Sequence, residues 1–299
     1  MKKYIILLFC LSSFIPAVFA GKINVVTANQ DLADFVINIG KDKVNVIALS
    51  GGERDPHFVE PMPSMVIKVR NADMVVKIGM DLDMWLQSLI DASRNKKVMY
   101  GNPGYVDASA GIVRLEVPQG KVDASMGHIH VFGNPHYLIG PQNVPAVIKN
   151  ITGGLIRVSP ENSDYFKKNS EEYLAKFNTG YEDWKSKMEK FKGVKIVTYH
   201  KSWEYFTDCF GLVLEGNLEP KPGIPPSPAH LNSLIAAMKE ENVRLIIQET
   251  FYSKKTGEMV AGETGAKLLI LPISTGAMET KDYLSLIDYV VNEISKALE

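Results

Sequence analysis

The feature that most constrains the fold is a repeated alternation of short aliphatic runs with amphipathic runs. Residues 23–28 and 44–49 are predicted strands, and residues 32–39 between them are a predicted helix. The alternation returns in the second half, with predicted strands at residues 194–199 and 243–247. Strands that alternate with helices form parallel sheets covered by helices. The sequence therefore predicts an α/β fold with one mainly parallel sheet in each half.

One long helix is predicted between the two halves. Ser159 suits a helix cap, Pro160 suits a first turn, and Gly193 suits a helix end. Apolar residues between them recur at spacings of three and four and form one stripe: Phe166, Tyr173, Phe177, Tyr181, Trp184, Met188 and Phe191. At 1.5 Å per residue this helix would be roughly 50 Å long. We therefore predict two lobes, residues 21–158 and 193–299, joined by one long rigid helix within residues 159–192.

A coiled-coil arm is the alternative interpretation of this helix. The stripe is rich in aromatic residues, and the flanking charges, such as Glu171-Glu172, come in pairs of the same sign. Coiled coils instead use aliphatic stripes and complementary charges between helices. We therefore favour a helix that packs along both lobes.

The first twenty residues have the features of an export signal. Two lysines precede an apolar run that is too short to span a membrane, and residues 18–20 fit a cleavage site. A lipoprotein signal at Cys10 is the alternative, but Phe9 is a poor fit directly before a lipidated cysteine. We expect cleavage near Ala20 and a soluble, exported protein.

Composition excludes several classes of partner and site. The formal net charge is −1 and there is no basic block, so nucleic acid is not an expected partner. The chain has 2 cysteines, and only Cys209 remains once the signal is removed. An intrachain disulfide or a cysteine-rich zinc site is then impossible. Any metal site must be built from histidine and carboxylate side chains.

Histidines are concentrated in one stretch. Three of the 6, namely His128, His130 and His136, lie within residues 127–137, and neutral imidazole is the commonest metal ligand. Asn134-Pro135 predicts a turn directly before His136. His128 and His130 also fit a solvated loop, whereas we predict His136 to be a ligand.

Further candidate ligands lie where predicted strands end. His57 is in the loop after the second predicted strand, His200 directly follows another, and Glu249 ends a third. In open α/β sheets, ligands bind beyond the carboxyl ends of the strands. We predict that His57, His136, His200 and Glu249 meet in a cleft between the lobes. Three imidazoles and one carboxylate suit a tetrahedral divalent ion, and a nitrogen-rich set favours zinc over manganese.

A metal-dependent hydrolase is a different hypothesis from the same residues. His128 and His130 are two positions apart, so on a strand they would point to the same side and could bind a catalytic metal with His136. Such a site also needs a general base beside the metal-bound water, and no clear base lies next to this triplet. A transport site would draw ligands from both lobes, whereas this enzyme would draw them from one loop.

Three motifs together resemble a known family. They are Asp-Pro-His at residues 55–57, Gly-Asn-Pro-His-Tyr at residues 133–137, and Tyr-His-Lys-Ser-Trp-Glu-Tyr-Phe at residues 199–206. The combination is similar to the zinc- and manganese-specific solute-binding proteins of bacterial ABC uptake systems, over nearly the whole mature chain. The resemblance implies two α/β lobes, a rigid connecting helix and a monomer in the periplasm. It also implies that the protein is not an enzyme.

The same resemblance implies the cargo and the partner. A divalent ion, zinc or alternatively manganese or iron, would be delivered to a membrane permease. Relatives of this family have also been described as adhesins, which is a third possibility, although the predicted soluble export counts against it. The family's loop before its second histidine motif is often rich in histidine. Here it holds only His128 and His130, which we interpret as auxiliary.

The chain departs from the family at the fourth ligand. Many members place an aspartate shortly after the last buried strand, but residues 271–277 contain no carboxylate. The next ones are Glu279 and Asp282. We therefore predict Glu249 as the fourth ligand, with Glu279 and Asp282 as alternatives. His230 lies in the first turn of a predicted helix, and we do not expect it to be a ligand.

Overall fold

The computed structural model describes residues 21–120 and 130–299. The predicted export signal in residues 1–20 and His128 therefore lie outside the described residues. In the part of the chain that is described, no helix combines the length and the apolar character needed to cross a membrane.

The first lobe is built on a four-stranded parallel sheet with the order β2-β1-β3-β4. Its strands are Ile23–Thr27 (β1), Val44–Ala48 (β2), Met74–Lys77 (β3) and Tyr105–Asp107 (β4). Its helices are Gln30–Gly40 (α1), Pro63–Arg70 (α2), Met84–Ser93 (α3) and Val144–Val158 (α4). Every residue of β3 is buried, as expected for a parallel strand that is covered by helices on both faces.

The second lobe repeats this arrangement with the strand order β6-β5-β7-β8. Its strands are Lys195–Thr198 (β5), Val213–Asn217 (β6), Leu245–Glu249 (β7) and Lys267–Leu271 (β8). Its helices are Glu204–Phe210 (α6), Pro228–Glu240 (α7), Lys254–Thr264 (α8) and Tyr283–Leu298 (α9). The long joining helix is Ser163–Met188 (α5). The predicted fold, with two parallel α/β lobes and a long joining helix, is confirmed.

The joining helix is α-helical only in the central part of its span. The α-helix has 26 residues and begins and ends beside the 3₁₀ turns Pro160–Asn162 and Glu189–Phe191. Ser159 does not cap α5, because its hydroxyl donates to Glu161 Oε1 at 2.5 Å. At 1.5 Å per residue the α-helical part is about 39 Å long, and the two 3₁₀ turns continue it over residues 160–191.

The two lobes share one hydrophobic core. Helix α5 packs against α1 and α4 of the first lobe and against α9 of the second. Its buried apolar side chains belong to a cluster that continues from β1 to α9. A second cluster among the described residues lies beneath α7 and α8. Moving the lobes apart would expose apolar surface at a cost of about 25 cal/mol per Å², so the connection is stiff.

The strand order of each sheet reverses next to its first strand. The reversal lies between β1 and β3 in the first lobe and between β5 and β7 in the second. A crevice forms at the carboxyl ends of the strands where the order reverses. In the second lobe, His200 follows β5 closely and Glu249 is the last residue of β7. The topology therefore brings these two predicted ligands to one crevice.

Candidate metal centre

Three histidines converge between the lobes. In the described residues, one ring nitrogen each of His57, His136 and His200 lies within 4.8 Å of the other two. The ring centroids are 5.0 Å apart for His57 and His136, 5.3 Å for His57 and His200, and 5.2 Å for His136 and His200. Nitrogens bound tetrahedrally to one zinc ion are about 3.3 Å apart. Small side-chain rotations would therefore bring all three nitrogens onto one ion.

Each histidine is carried by a segment that follows a strand or leads into a helix. His57 lies between β2 and α2, and His200 is two residues after β5. His136 directly precedes a 3₁₀ turn, Tyr137–Ile139, that leads towards α4. The backbone N–H of His136 donates to Asn134 Oδ1 at 2.9 Å, which forms the turn predicted at this point.

His136 is buried and has an uncommitted nitrogen. It is 7% exposed, and its Nε2 has no hydrogen-bond partner among the described residues. Burial lowers the pKa of His136 well below 6.5, and the neighbouring His57, His200 and His130 lower it further. His136 is therefore neutral at physiological pH, which is the form that binds a metal.

Two carboxylates orient the other two histidines. Asp55 Oδ1 lies 2.7 Å from His57 Nδ1, and Glu219 Oε2 lies 2.7 Å from His200 Nδ1. A carboxylate that holds Nδ1–H makes Nε2 the ring nitrogen that can bind a metal and makes it more basic. Burial by itself lowers the pKa of His200, but Glu219, together with the charges of Glu249 and Asp55, outweighs burial and raises it above 6.5.

Glu219 was not identified from the sequence. It lies just after β6 and is 8% exposed, and its backbone N–H donates to Tyr199 O at 3.0 Å. That backbone bond extends the pairing of β5 with β6 and places the carboxylate beside His200. Its position just after β6 is the signal that could have identified it.

Replacing Glu219 with glutamine is expected to lower zinc affinity by 10- to 100-fold, the usual cost of losing a group that orients a metal ligand. The amide keeps the size of the side chain but cannot hold His200 Nδ1–H with a full negative charge. Competitive zinc titration measures the effect. Glu215→Gln is the matched control, because Glu215 is on β6 and its partner is Lys195 at 3.1 Å. Equal affinities of Glu219→Gln and wild type would contradict this role.

Glu249 is fully buried at the end of β7. Its Oε1 accepts hydrogen bonds from Ser202 Oγ at 2.6 Å and Trp203 Nε1 at 3.1 Å, whereas its Oε2 is buried with no hydrogen-bond partner among the described residues. Burial raises the pKa of Glu249 to about 7, although the charge of His200 opposes this. Glu249 is not part of the group within 4.8 Å that the three histidines form. It thus offers one uncommitted oxygen near His200.

Glu279 and Asp282 are the alternative candidates for the fourth ligand. Glu279 is exposed. Asp282 caps α9, and its Oδ1 accepts from Ser285 N at 2.7 Å. Neither belongs to the histidine group.

The remaining described histidines lie outside the group. His130 Nε2 is 3.2 Å from His57 Nε2, so His130 contacts the group from one side. His230 is in the first turn of α7, and its Nε2 lies 3.0 Å from Asn217 O. Ser227 caps this helix, since its Oγ accepts from His230 N.

A cavity of about 450 Å³ borders the histidine group. His130, His136 and His200 line it together with Glu116 and Lys201. It gives a hydrated ion room to approach two of the three clustered histidines.

Comparison with known proteins identifies the family. Residues 25–297 match the family model described as "Zinc-uptake complex component A periplasmic". The chain belongs to this family. The match includes all three histidine motifs, so the resemblance inferred from them is confirmed. Members of this zinc-uptake family are binding components of metal transporters, so the protein is not an enzyme. The hydrolase hypothesis built on His128, His130 and His136 is wrong.

Relatives and solved structures extend over most of the chain. The high-affinity zinc uptake system protein ZnuA of Bacillus subtilis (strain 168) is 29% identical over 253 residues, which are 84% of this chain and 78% of that protein. The manganese ABC transporter substrate-binding lipoprotein PsaA of Streptococcus pneumoniae serotype 4 (strain ATCC BAA-334 / TIGR4) is 25% identical over 312 residues, covering 98% and 95%. A crystal structure of a zinc-bound ZnuA deletion mutant matches with a TM-score of 0.78 at 27% identity, covering 92% of this chain and 98% of that one. The family therefore includes relatives named for zinc and relatives named for manganese.

Proposed function

We propose that this protein captures a divalent transition metal ion, zinc in the first place, between its lobes and delivers it to the membrane permease of an ABC transporter. The observation that carries the proposal is the convergence of His57, His136 and His200 from two lobes. Family membership supplies the transport context. Manganese and iron are the alternative cargoes.

The donor set favours zinc. Three neutral imidazoles form a nitrogen-rich site, whereas manganese prefers more oxygen ligands. Divalent zinc also binds such a site more tightly than manganese in the general order of metal affinities. A manganese-binding relative of similar identity makes this preference worth a direct test.

Glu249 is our candidate for the fourth ligand, through Oε2. A buried carboxylate oxygen without a partner is costly unless it meets a cation, and Oε2 has no hydrogen-bond partner among the described residues. Movement of this side chain towards the three histidines would close a tetrahedral site with one oxygen and three nitrogens.

We propose that the chain is exported, that its signal is cleaved near Ala20, and that it acts as a soluble monomer in the periplasm. His130 is proposed as an auxiliary group beside His57. The division into residues 21–158, 159–192 and 193–299 also stays a prediction.

The proposal is tested with protein purified without a histidine tag. We expect one equivalent of zinc, and a competitive titration should show tighter binding of zinc than of manganese. Zinc binds the folded state, so at 1,000 times the dissociation constant it should stabilise the fold by about 4 kcal/mol. A preference for manganese would contradict zinc as the cargo. If neither metal raised the melting temperature, metal capture itself would be contradicted.

Zinc affinity is also expected to depend on pH in a specific range. His200 must release its proton to bind metal, and its pKa lies above 6.5. As the pH is lowered, affinity should therefore begin to fall while the pH is still above 6.5. It should then decrease by about tenfold per pH unit for this one proton. His136 does not contribute in this range, because its pKa is well below 6.5. Zinc titrations at pH 8, 7 and 6 measure this, and a pH-independent affinity would count against a histidine site.

A further inference from the structure

The side chain of Asn134 connects the two segments that carry His136 and His200. Its Oδ1 accepts from the backbone N–H of His136 at 2.9 Å, and its Nδ2 donates to Lys201 O at 2.8 Å. His136 belongs to the first lobe, whereas Lys201 follows His200 in the second. One amide group therefore fixes a candidate ligand of one lobe against the neighbour of a candidate ligand in the other.

The surroundings of Asn134 leave its amide only one orientation. The side chain is 5% exposed, and its Nδ2 also lies 3.0 Å from Glu116 Oε2 and 3.1 Å from Glu204 Oε2. A flipped amide would place Oδ1 against three acceptor oxygens and Nδ2 against a backbone N–H. Lys201 Nζ adds an ion pair to Glu116 at 2.5 Å. Two hydrogen bonds of Asn134, to Lys201 and to Glu204, therefore cross the lobe boundary, and the ion pair of Lys201 with Glu116 crosses it beside them.

The backbone of Asn134 is held by the second lobe as well. The hydroxyl of Tyr205, in α6, donates to Asn134 O at 3.0 Å and accepts from Leu115 N at 3.1 Å. A Cβ on Gly140 would lie 2.6 Å from Tyr205 Cβ, so the backbone before α4 approaches α6 closely. This packing fixes the position of the segment that carries His136 relative to the start of α6.

We propose that Asn134 is a positioning residue that sets the separation of His136 and His200 and thereby the affinity of the site for its metal. A ligand set performs well only when its geometry is held within about 0.5 Å, and these two ligands lie on different lobes. Asn134 supplies that constraint, because it bonds to both ligand-bearing segments at once. The inference rests on the proposed capture of metal by these histidines.

The first lobe contains a matched control. Asn95 Oδ1 accepts from Lys97 N at 3.1 Å, and its Nδ2 donates to Val69 O at 3.0 Å and Ala72 O at 2.7 Å. Asn95 therefore makes the same types of hydrogen bond as Asn134, but all of them lie within one lobe and away from the histidines. In both positions serine keeps a short acceptor for the N–H two residues on and removes the amide donor without adding charge.

The test compares Asn134→Ser, Asn95→Ser and wild type. Both substitutions should lower the melting temperature of the metal-free protein, since each removes hydrogen bonds that are at least partly shielded from water. Only Asn134→Ser is expected to lower zinc affinity, by about tenfold or more. It should also change the visible absorption spectrum of the Co²⁺-loaded protein, which reports the coordination geometry of the ion, whereas Asn95→Ser should leave that spectrum unchanged.

Several results would overturn the inference. Wild-type zinc affinity and an unchanged cobalt spectrum in Asn134→Ser would do so, as would equal losses of affinity in both variants. If Asn134→Ser does not fold, Tyr205→Phe takes its place. A loss of zinc affinity in Tyr205→Phe, smaller than the loss of about tenfold expected for Asn134→Ser, supports the inference, whereas wild-type affinity overturns it. If the wild type binds neither zinc nor cobalt, the proposed function falls as well. If the wild type binds and only the variant shows no effect, the positioning role alone is overturned.

Discussion

Replacing His136 with alanine is expected to lower zinc affinity by more than about 100-fold, since groups that only orient a ligand already cost 10- to 100-fold. The metal-free fold should survive, because His136 Nε2 makes no hydrogen bond among the described residues and the ring is neutral. Competitive zinc titration measures the loss. The thermal shift on adding zinc should disappear in the same variant.

His230→Ala is the control for this substitution. His230 lies in the described chain outside the group within 4.8 Å, at the first turn of α7. Its removal should leave zinc affinity unchanged. Wild-type affinity in His136→Ala, or a comparable loss in His230→Ala, would contradict the assignment of the site.

Replacing Glu249 with glutamine is expected to weaken zinc binding by at least about tenfold and to stabilise the metal-free protein. Glutamine keeps the size of the side chain and an oxygen for Ser202 and Trp203, but it provides no charge for the metal. The stability effect follows from the pKa of Glu249, which burial raises from 4.5 to about 7. Above pH 4.5 the carboxyl of residue 249 is ionised more readily in the unfolded chain than in the folded chain, so it destabilises the metal-free fold. Glutamine has no carboxyl to ionise and removes this destabilisation.

Melting curves at pH 7.5 with and without zinc separate these two effects. The metal-free Glu249→Gln protein should melt higher than wild type, and its zinc-induced shift should be smaller. Glu279→Gln should change neither quantity, because Glu279 is exposed. Asp282→Asn should lower stability through the cap of α9 without changing zinc affinity. If Glu279→Gln or Asp282→Asn abolished tight binding while Glu249→Gln did not, the later loop would supply the ligand.

Elements with strong local signals were predicted from the sequence with little error. Strands β1 and β2 begin at the residues expected from their aliphatic runs and end one residue earlier than expected. Strand β4 was missed, because it is a three-residue edge strand with only one buried residue. The nearby aliphatic residue Val98 ends a 3₁₀ turn rather than belonging to a strand. Residues of this kind take their conformation from the neighbouring sheet rather than from their own pattern.

The same difference between local and long-range signals applies to the candidate site. The structure brings together the three predicted histidines, because the carboxyl ends of parallel strands meet at one edge whatever the details of packing. Glu219 was missed because its contact with His200 depends on the pairing of two strands. Asn134 was interpreted only as a turn residue, since its bond to Lys201 crosses between lobes. The shared core also depends on the return of α9 to α5, which no local pattern encodes.

A crystal structure of the zinc-loaded protein, purified without a tag, tests the central claim most directly. We predict a single zinc ion with one nitrogen each of His57, His136 and His200 and with Glu249 Oε2, all at about 2.0–2.2 Å. A fourth position filled by another group would contradict only the role of Glu249. Zinc bound away from these three histidines, or by fewer than two of them, would contradict the account.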